Sequence, residues 1–206
     1  MSGNAAHWIG SDSLARAGHI PPGARRLRKN TTVQSHSGYC RIKLTMSENK
    51  IIERIKEQFG SIVIDNHDFR GDQTVTVKKT CGNEFFKFLR DDPELAFNFL
   101  MDITAVDYFS KKDERFEVVY HFYSLHHNHR LRVKIPVSLE DCIADSITPL
   151  WKTANWYERE IWDMYGIKFR NHPNLRRILL YEEFKGHPLR KDYPITKRQP
   201  LIGPLN

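Results

Sequence analysis

Residues 155–193 read NWYEREIWDMYGIKFRNHPNLRRILLYEEFKGHPLRKDY, and this stretch decides what the chain can build. Its first turns are helical in pattern. Tyr157, Ile161, Met164 and Tyr165 fall at i, i+4, i+7 and i+8, one apolar stripe on a 3.6-residue repeat. Asn155 is placed to cap the first turn, because its side-chain oxygen can accept a free amide, with Glu158 three residues on as in a capping box. Gly166 follows the last periodic residue, where a left-handed C-terminal cap favours glycine.

Beyond Gly166 the pattern changes. Phe169-Arg170-Asn171-His172-Pro173 ends any helix, since the residue before proline is pushed towards extended geometry. His172-Pro173 and His187-Pro188 are each followed by a leucine and then two basic residues, and five prolines lie between Pro173 and Pro204. Such a segment buries too little of itself to offset its ordering entropy, yet it is too rich in Leu, Ile, Phe and Tyr for a plain linker. It reads as an extended arm, residues 169–206, that orders against a partner protein, its guanidinium forks suited to carboxylates there.

Glu158, Glu160 and Asp163 invite a metal or acid–base reading. Di-iron helices use Glu-x-x-His pairs, and none occurs here; acid–base pairs need carboxylates converging from more than one element. Capping, pairing with Arg159 or meeting a neighbour accounts for them more simply.

These residues carry a resemblance. Glu158-Arg159-Glu160, then Asp163-Met164-Tyr165-Gly166, then the run His172 to Leu179, and Gly186 to Pro194 look like the C-terminal hallmark of one family. It is the 30 kDa subunit family of respiratory NADH:quinone oxidoreductase, complex I. The likeness is dense over about forty residues and looser back to about Met46, and a string of that length is far more specific than a lone glycine motif. It implies a subunit of the hydrophilic arm that holds neither FMN nor an iron–sulfur cluster and packs on the large quinone-site subunit. It also implies a peripheral position on the cytoplasmic face of a bacterial inner membrane, or the matrix face in a mitochondrion. On that implication Glu158, Arg159, Glu160, Asp163, Arg176, Arg177, Arg190, Lys191 and Asp192 are the polar anchors, and Trp156, Trp162, Tyr165 and Tyr193 the aromatic ones. His172 and His187 join them as packing or hydrogen-bonding groups, with proton carriage near a quinone as the sharper alternative. No catalytic, cofactor or metal residue is assigned to this chain.

The rest of the chain narrows the function classes. At 206 residues it supports one domain with appendages. No eighteen-residue apolar run is present, so no spanning helix is expected. The net charge of +7 is concentrated in residues 1–45, where seven basic residues face only Asp12. A charge that vanishes with one tail argues against a nucleic-acid partner. That tail reads as a disordered extension, a transit segment, or sequence ahead of a true start at Met46. Cys40, Cys81 and Cys142 are widely spaced, with no Cys-x-x-Cys, which fits a reducing compartment and provides no cluster or zinc site. Walker, Gly-x-Gly-x-x-Gly and Gly-x-Ser-x-Gly motifs are all missing from the sequence.

Taken in order, a helix is expected at Glu48–Phe59 from the stripe Ile51, Ile52, Ile55 and Phe59. Short strands follow at Ser61–Ile64 and Gln73–Lys78 around a polar turn, then a helix at Asn83–Asp91 and a further helical stretch from Pro93 to Leu100. Phe85, Phe86, Phe88, Phe97 and Phe99 read as core. Met101–Phe109 reads as a bent strand. Phe116 to Tyr123 and Arg130 to Val137 alternate as a hairpin whose basic row Arg130, Arg132, Lys134 is wet or covered. His126, His127 and His129 at its tip read as a solvated turn, and Ser138–Trp151 as a helix followed by a loop. The expectation is an α+β two-layer domain over residues 46–168, a mostly antiparallel sheet with helices on one side, plus the extended C-terminal arm. Two other functions compete: the equivalent subunit of a membrane-bound hydrogenase or related dehydrogenase, and a free-standing enzyme using the Glu158/Glu160/Asp163 cluster.

Overall fold

The computed structural model describes residues 48–200. The expected N-terminal extension, Cys40 and the last six residues of the arm lie outside them. Helix α1, Glu48–Phe59, follows its apolar stripe, and Ile51 and Ile55 are buried. Strands β1, Val63–Phe69, and β2, Asp72–Val77, form an antiparallel hairpin. Arg70 and Gly71 turn it with φ of 56° and 84°, a geometry that suits the strand twist. The polar turn expected at 65–72 is therefore mostly strand. As a sheet edge β1 is largely solvated, so its polar residues hid it from periodicity.

A 3-10 turn at Lys79–Cys81 leads into α2, Gly82–Asp91, which buries Phe85, Phe86 and Leu89. The helical stretch expected after Pro93 does not form. The Asp92 carboxylate accepts the amides of Glu94 and Leu95 at 2.9 and 3.2 Å, and Ala96 has a φ of 46°, so the chain turns straight into a strand. That strand is β3, Phe99–Asp107, followed by β4, Phe116–Ser124, and β5, His129–Val137.

The sheet order is β1-β2-β5-β4-β3, antiparallel except for the parallel β2/β5 pair. One face carries Val118, Tyr120, Phe122, Val133 and Ile135 into a core shared with Ile55, Phe85, Phe86, Leu89 and Trp151. The other carries Glu117, His121 and the basic row, where Arg132 donates to His121 at 3.0 Å and to Thr74 at 3.3 Å. Phe99 is the exception in the phenylalanine set, exposed on the β3 edge.

The helix expected at 138–151 is absent as well. Cys142 has a φ of 47°, and Ile143–Asp145 forms β6, paired in parallel with β7, Lys168–Arg170. Between them runs α3, Ala154–Tyr165. Its N-cap is Thr153 without a side-chain bond; Asn155 lies inside the first turn and Glu158 points into the core. Gly166 takes the left-handed cap expected of it, with φ 75° and ψ 17°.

Candidate functional site

From Asn171 to Pro200 the arm forms neither helix nor strand, yet it is fastened to the body at three places. The first is Asp163, on α3 and wholly buried. One of its oxygens accepts the amides of Ile178, Leu179 and Leu180 at 3.1, 2.9 and 2.9 Å; the other takes Arg177 Nη1 at 2.5 Å. Three successive N–H groups closing on one carboxylate make an anion nest. Burial pushes this carboxyl up, but the three amides and Arg177 outweigh it and hold it below the ordinary carboxylate range. The Arg177 guanidinium sits 5.7 Å from the Trp162 ring and 5.9 Å from that of Phe184, which in turn stacks on Tyr193.

The second fastening is the end of α3. The carbonyls of its last turn would be unpaired on a lone helix. Here His187 Nδ1 binds the Asp163 carbonyl at 3.0 Å, the Leu189 amide the Met164 carbonyl at 3.1 Å, and Arg190 Nε the Tyr165 carbonyl at 2.5 Å. A Cβ on Gly166 would stand 2.5 Å from His187 Nε2 and 2.7 Å from Arg190 Nη2, so glycine lets the arm lie this close. Burial pushes the His187 imidazole below its usual value, with Arg190 and Arg177 adding to it.

The third fastening is at the loop end of the β3–β4 hairpin. Arg115 forks onto Asp107 at 2.9 and 2.8 Å and onto Asp192 at 3.0 and 2.8 Å, and the Lys191 amide reaches Asp107 at 2.9 Å. Burial opposes ionisation of Asp107, but Arg115 and the amides win and keep its carboxyl low. Asp192 is also lowered, chiefly by its hydrogen bonds from Arg115.

At the root of the arm Arg159 donates to the carbonyls of Arg176 and Arg177, both at 3.1 Å, rather than pairing with a carboxylate as expected. Glu158 accepts the Ile147 amide at 2.8 Å, and burial raises its carboxyl to about 7. His172 Nε2 lies 3.2 Å from the Asn155 carbonyl, and its Nδ1 accepts the Asn174 amide at 3.0 Å.

The expected anchors thus divide. Glu158, Arg159, Asp163, Arg177, His172, His187, Arg190 and Asp192 have hydrogen-bond partners in their own chain. The arm orders on its own body because buried carboxylates and free helix carbonyls satisfy its donors. Trp162, Tyr165 and Tyr193 are half-buried, whereas Trp156, Glu160, Arg176 and Lys191 face outward. So do Leu179, Leu189 and Ile195, which the sequence reading left out. It also missed Asp107 and Arg115, whose only signal was an acid ending a strand ahead of a basic residue. The histidine tip is less solvated than expected: His127 and His129 bond the carbonyls of Pro93 and Leu95 at 2.8 and 3.0 Å. Among the described residues no three His, Cys, Asp or Glu gather as for a metal ion, and no helix is long and apolar enough to cross a membrane.

The family model described as respiratory-chain NADH dehydrogenase, 30 kDa subunit, matches residues 75–199, well over half the chain and most of the arm. The chain belongs to that family. Among the relatives of this 30 kDa family, the C-type NADH-quinone oxidoreductase subunit of Citrifermentans bemidjiense is 50% identical over 160 residues, covering 77% of this chain and 98% of the relative. Its counterpart in Geobacter sulfurreducens is 43% identical over the same length, with the same coverage of each. A solved structure described as the trypsin-resistant fragment (1-134) of Nqo5 has a TM-score of 0.55 and 32% identity, covering 63% of this chain and all of that one. A chain in the archaeal membrane-bound sulfane sulfur reductase shares the fold at a TM-score of 0.60 and 21% identity, over 72% of this chain and 86% of its own.

Proposed function

We propose that this 30 kDa family chain is a structural subunit, with no cofactor of its own, in the peripheral arm of NADH:quinone oxidoreductase. That complex passes electrons from NADH through FMN and iron–sulfur clusters to quinone and couples the transfer to proton translocation. The subunit sits peripherally on the cytoplasmic face of the membrane. The outward side of residues 171–200 and the exposed flank of α3 bind the large quinone-site subunit.

One observation carries this reading. The arm is held by its inward groups, while its outward ones are left for another surface. Trp156, Leu179, Leu189 and Ile195 are at least half exposed. Arg176 and Lys191 are exposed and, among the described residues, in no salt bridge. Aromatic, leucine and arginine side chains presented on a pre-ordered segment are what a protein interface uses, because little conformational entropy remains to be lost on binding.

The test combines Trp156→Ala with Arg176→Glu in the assembled complex. Co-purification of the large quinone-site subunit and NADH:quinone activity should fall together, while electron transfer from NADH to an artificial acceptor persists. Equal loss of both activities, or retention of both, overturns the placement.

A further inference from the structure

We propose that Glu158, beneath His172 at the root of the arm, is a buried proton-binding site, filled while the arm is docked and emptied when it lifts. Both side chains have no exposed surface. Glu158 Oε1 is occupied by the Ile147 amide, but Oε2 has no hydrogen-bond partner, and His172 Nε2 lies 4.0 Å from it. That nitrogen is engaged with the Asn155 carbonyl, and the other ring nitrogen accepts the Asn174 amide, so the imidazole is neutral with its proton on Nε2. A bare carboxylate here would be a buried charge without a counter-ion, which is strongly unfavourable. The neutral acid is the form that fits.

The charged and titratable groups around the pair leave that conclusion standing. Tyr120 on β4 approaches Glu158 and is itself an orphaned hydroxyl; the Cys81 thiol ahead of α2 and Asp145 on β6 lie near that tyrosine. None of these is a cation. Burial lowers the His172 imidazole, and Arg159, the neighbouring cation on α3, adds to it while its fork holds the Arg176 and Arg177 carbonyls. Ser146, beside β6, offers Glu158 only a hydroxyl. His172 opens the arm. Lifting it uncovers Oε2, water enters, and the acid gives its proton to bulk water, leaving a hydrated carboxylate with no other bond changed.

Two measurements on the full chain test this. With isotope-labelled glutamate, one side-chain carboxyl should titrate near neutral pH; a protein in which every glutamate titrates below about pH 6 overturns the proposal. Tryptic cleavage within the arm, normalised to a free peptide at each pH, should quicken roughly tenfold between about pH 6 and about pH 8, as expected if only the docked form binds the proton near neutrality. In Glu158→Gln, which cannot ionise, that added dependence should vanish. Parallel profiles in the two proteins overturn the link between proton and arm.

Discussion

The body and the arm are both ordered, but by different means. The body closes around rings: Phe122 lies 5.9 Å from Phe86, 6.4 Å from Phe97 and 4.9 Å from Trp151, all in the buried core. The arm has nothing comparable: Leu175 reaches the core, Tyr181 meets Phe184 edge-on and Phe184 stacks on Tyr193, and these rings are half-buried. It is held chiefly by polar groups, paired with carboxylates, carbonyls and the Arg115 and Arg159 guanidinium forks that the body has already placed. A core averages over many contacts, whereas a polar fastening is concentrated in a few atoms, so the arm should be separable from the body by small chemical changes.

The largest expected effect is on the body. Phe122→Ala should cost about 4 kcal/mol and destabilise body and arm together, read as one lowered urea midpoint. Asp163→Ala comes next, at about 3 kcal/mol, because Arg177 and three amides lose their acceptor. Here the arm should become protease-sensitive while the sheet signal in circular dichroism stays; simultaneous loss of both would erase the contrast. Acid should do the same more gradually. Asp107, Asp163 and Asp192 have folded values below their unfolded ones, so their stabilisation is full above the ordinary carboxylate range and is lost as pH falls through the depressed values. Pepsin should therefore clip the arm before the core melts.

Gly166→Ala should cost about 2 kcal/mol, from a left-handed backbone and the approach of His187 and Arg190, again loosening the arm first. Trp156→Ala closes the series. Its side chain is exposed, so unfolding should shift by less than about 0.5 kcal/mol while co-purification with a partner weakens.

The parts of the fold that were legible in the sequence are those whose burial is one-sided. Helix α1 was marked by Ile51 and Ile55, the β4–β5 hairpin by the alternation of β5, and the end of α3 by Gly166. Strand β1 was legible only at its start, Val63 and Ile64, because an edge strand with Asp65, His67 and Asp68 on it reads as a turn. Two further stretches were misread as helical, one where the Asp92 side chain captures the next amides and one where Cys142 reverses the chain. The arm was recognised as irregular, but its inward attachment was invisible for a simple reason. The Lys191 amide binds a carboxylate 84 positions away, and Arg115 binds Asp192 from 77 positions away. Sequence shows which groups need a partner, not where the fold will bring one.

The parallel join between β2 and β5 also sets a timetable for synthesis. Ser124 and His129 close their hairpin across a four-residue loop, whereas Thr74 meets Arg132 from 58 positions away. On the ribosome, the first hairpin must wait with one side unpaired until the fifth strand has emerged.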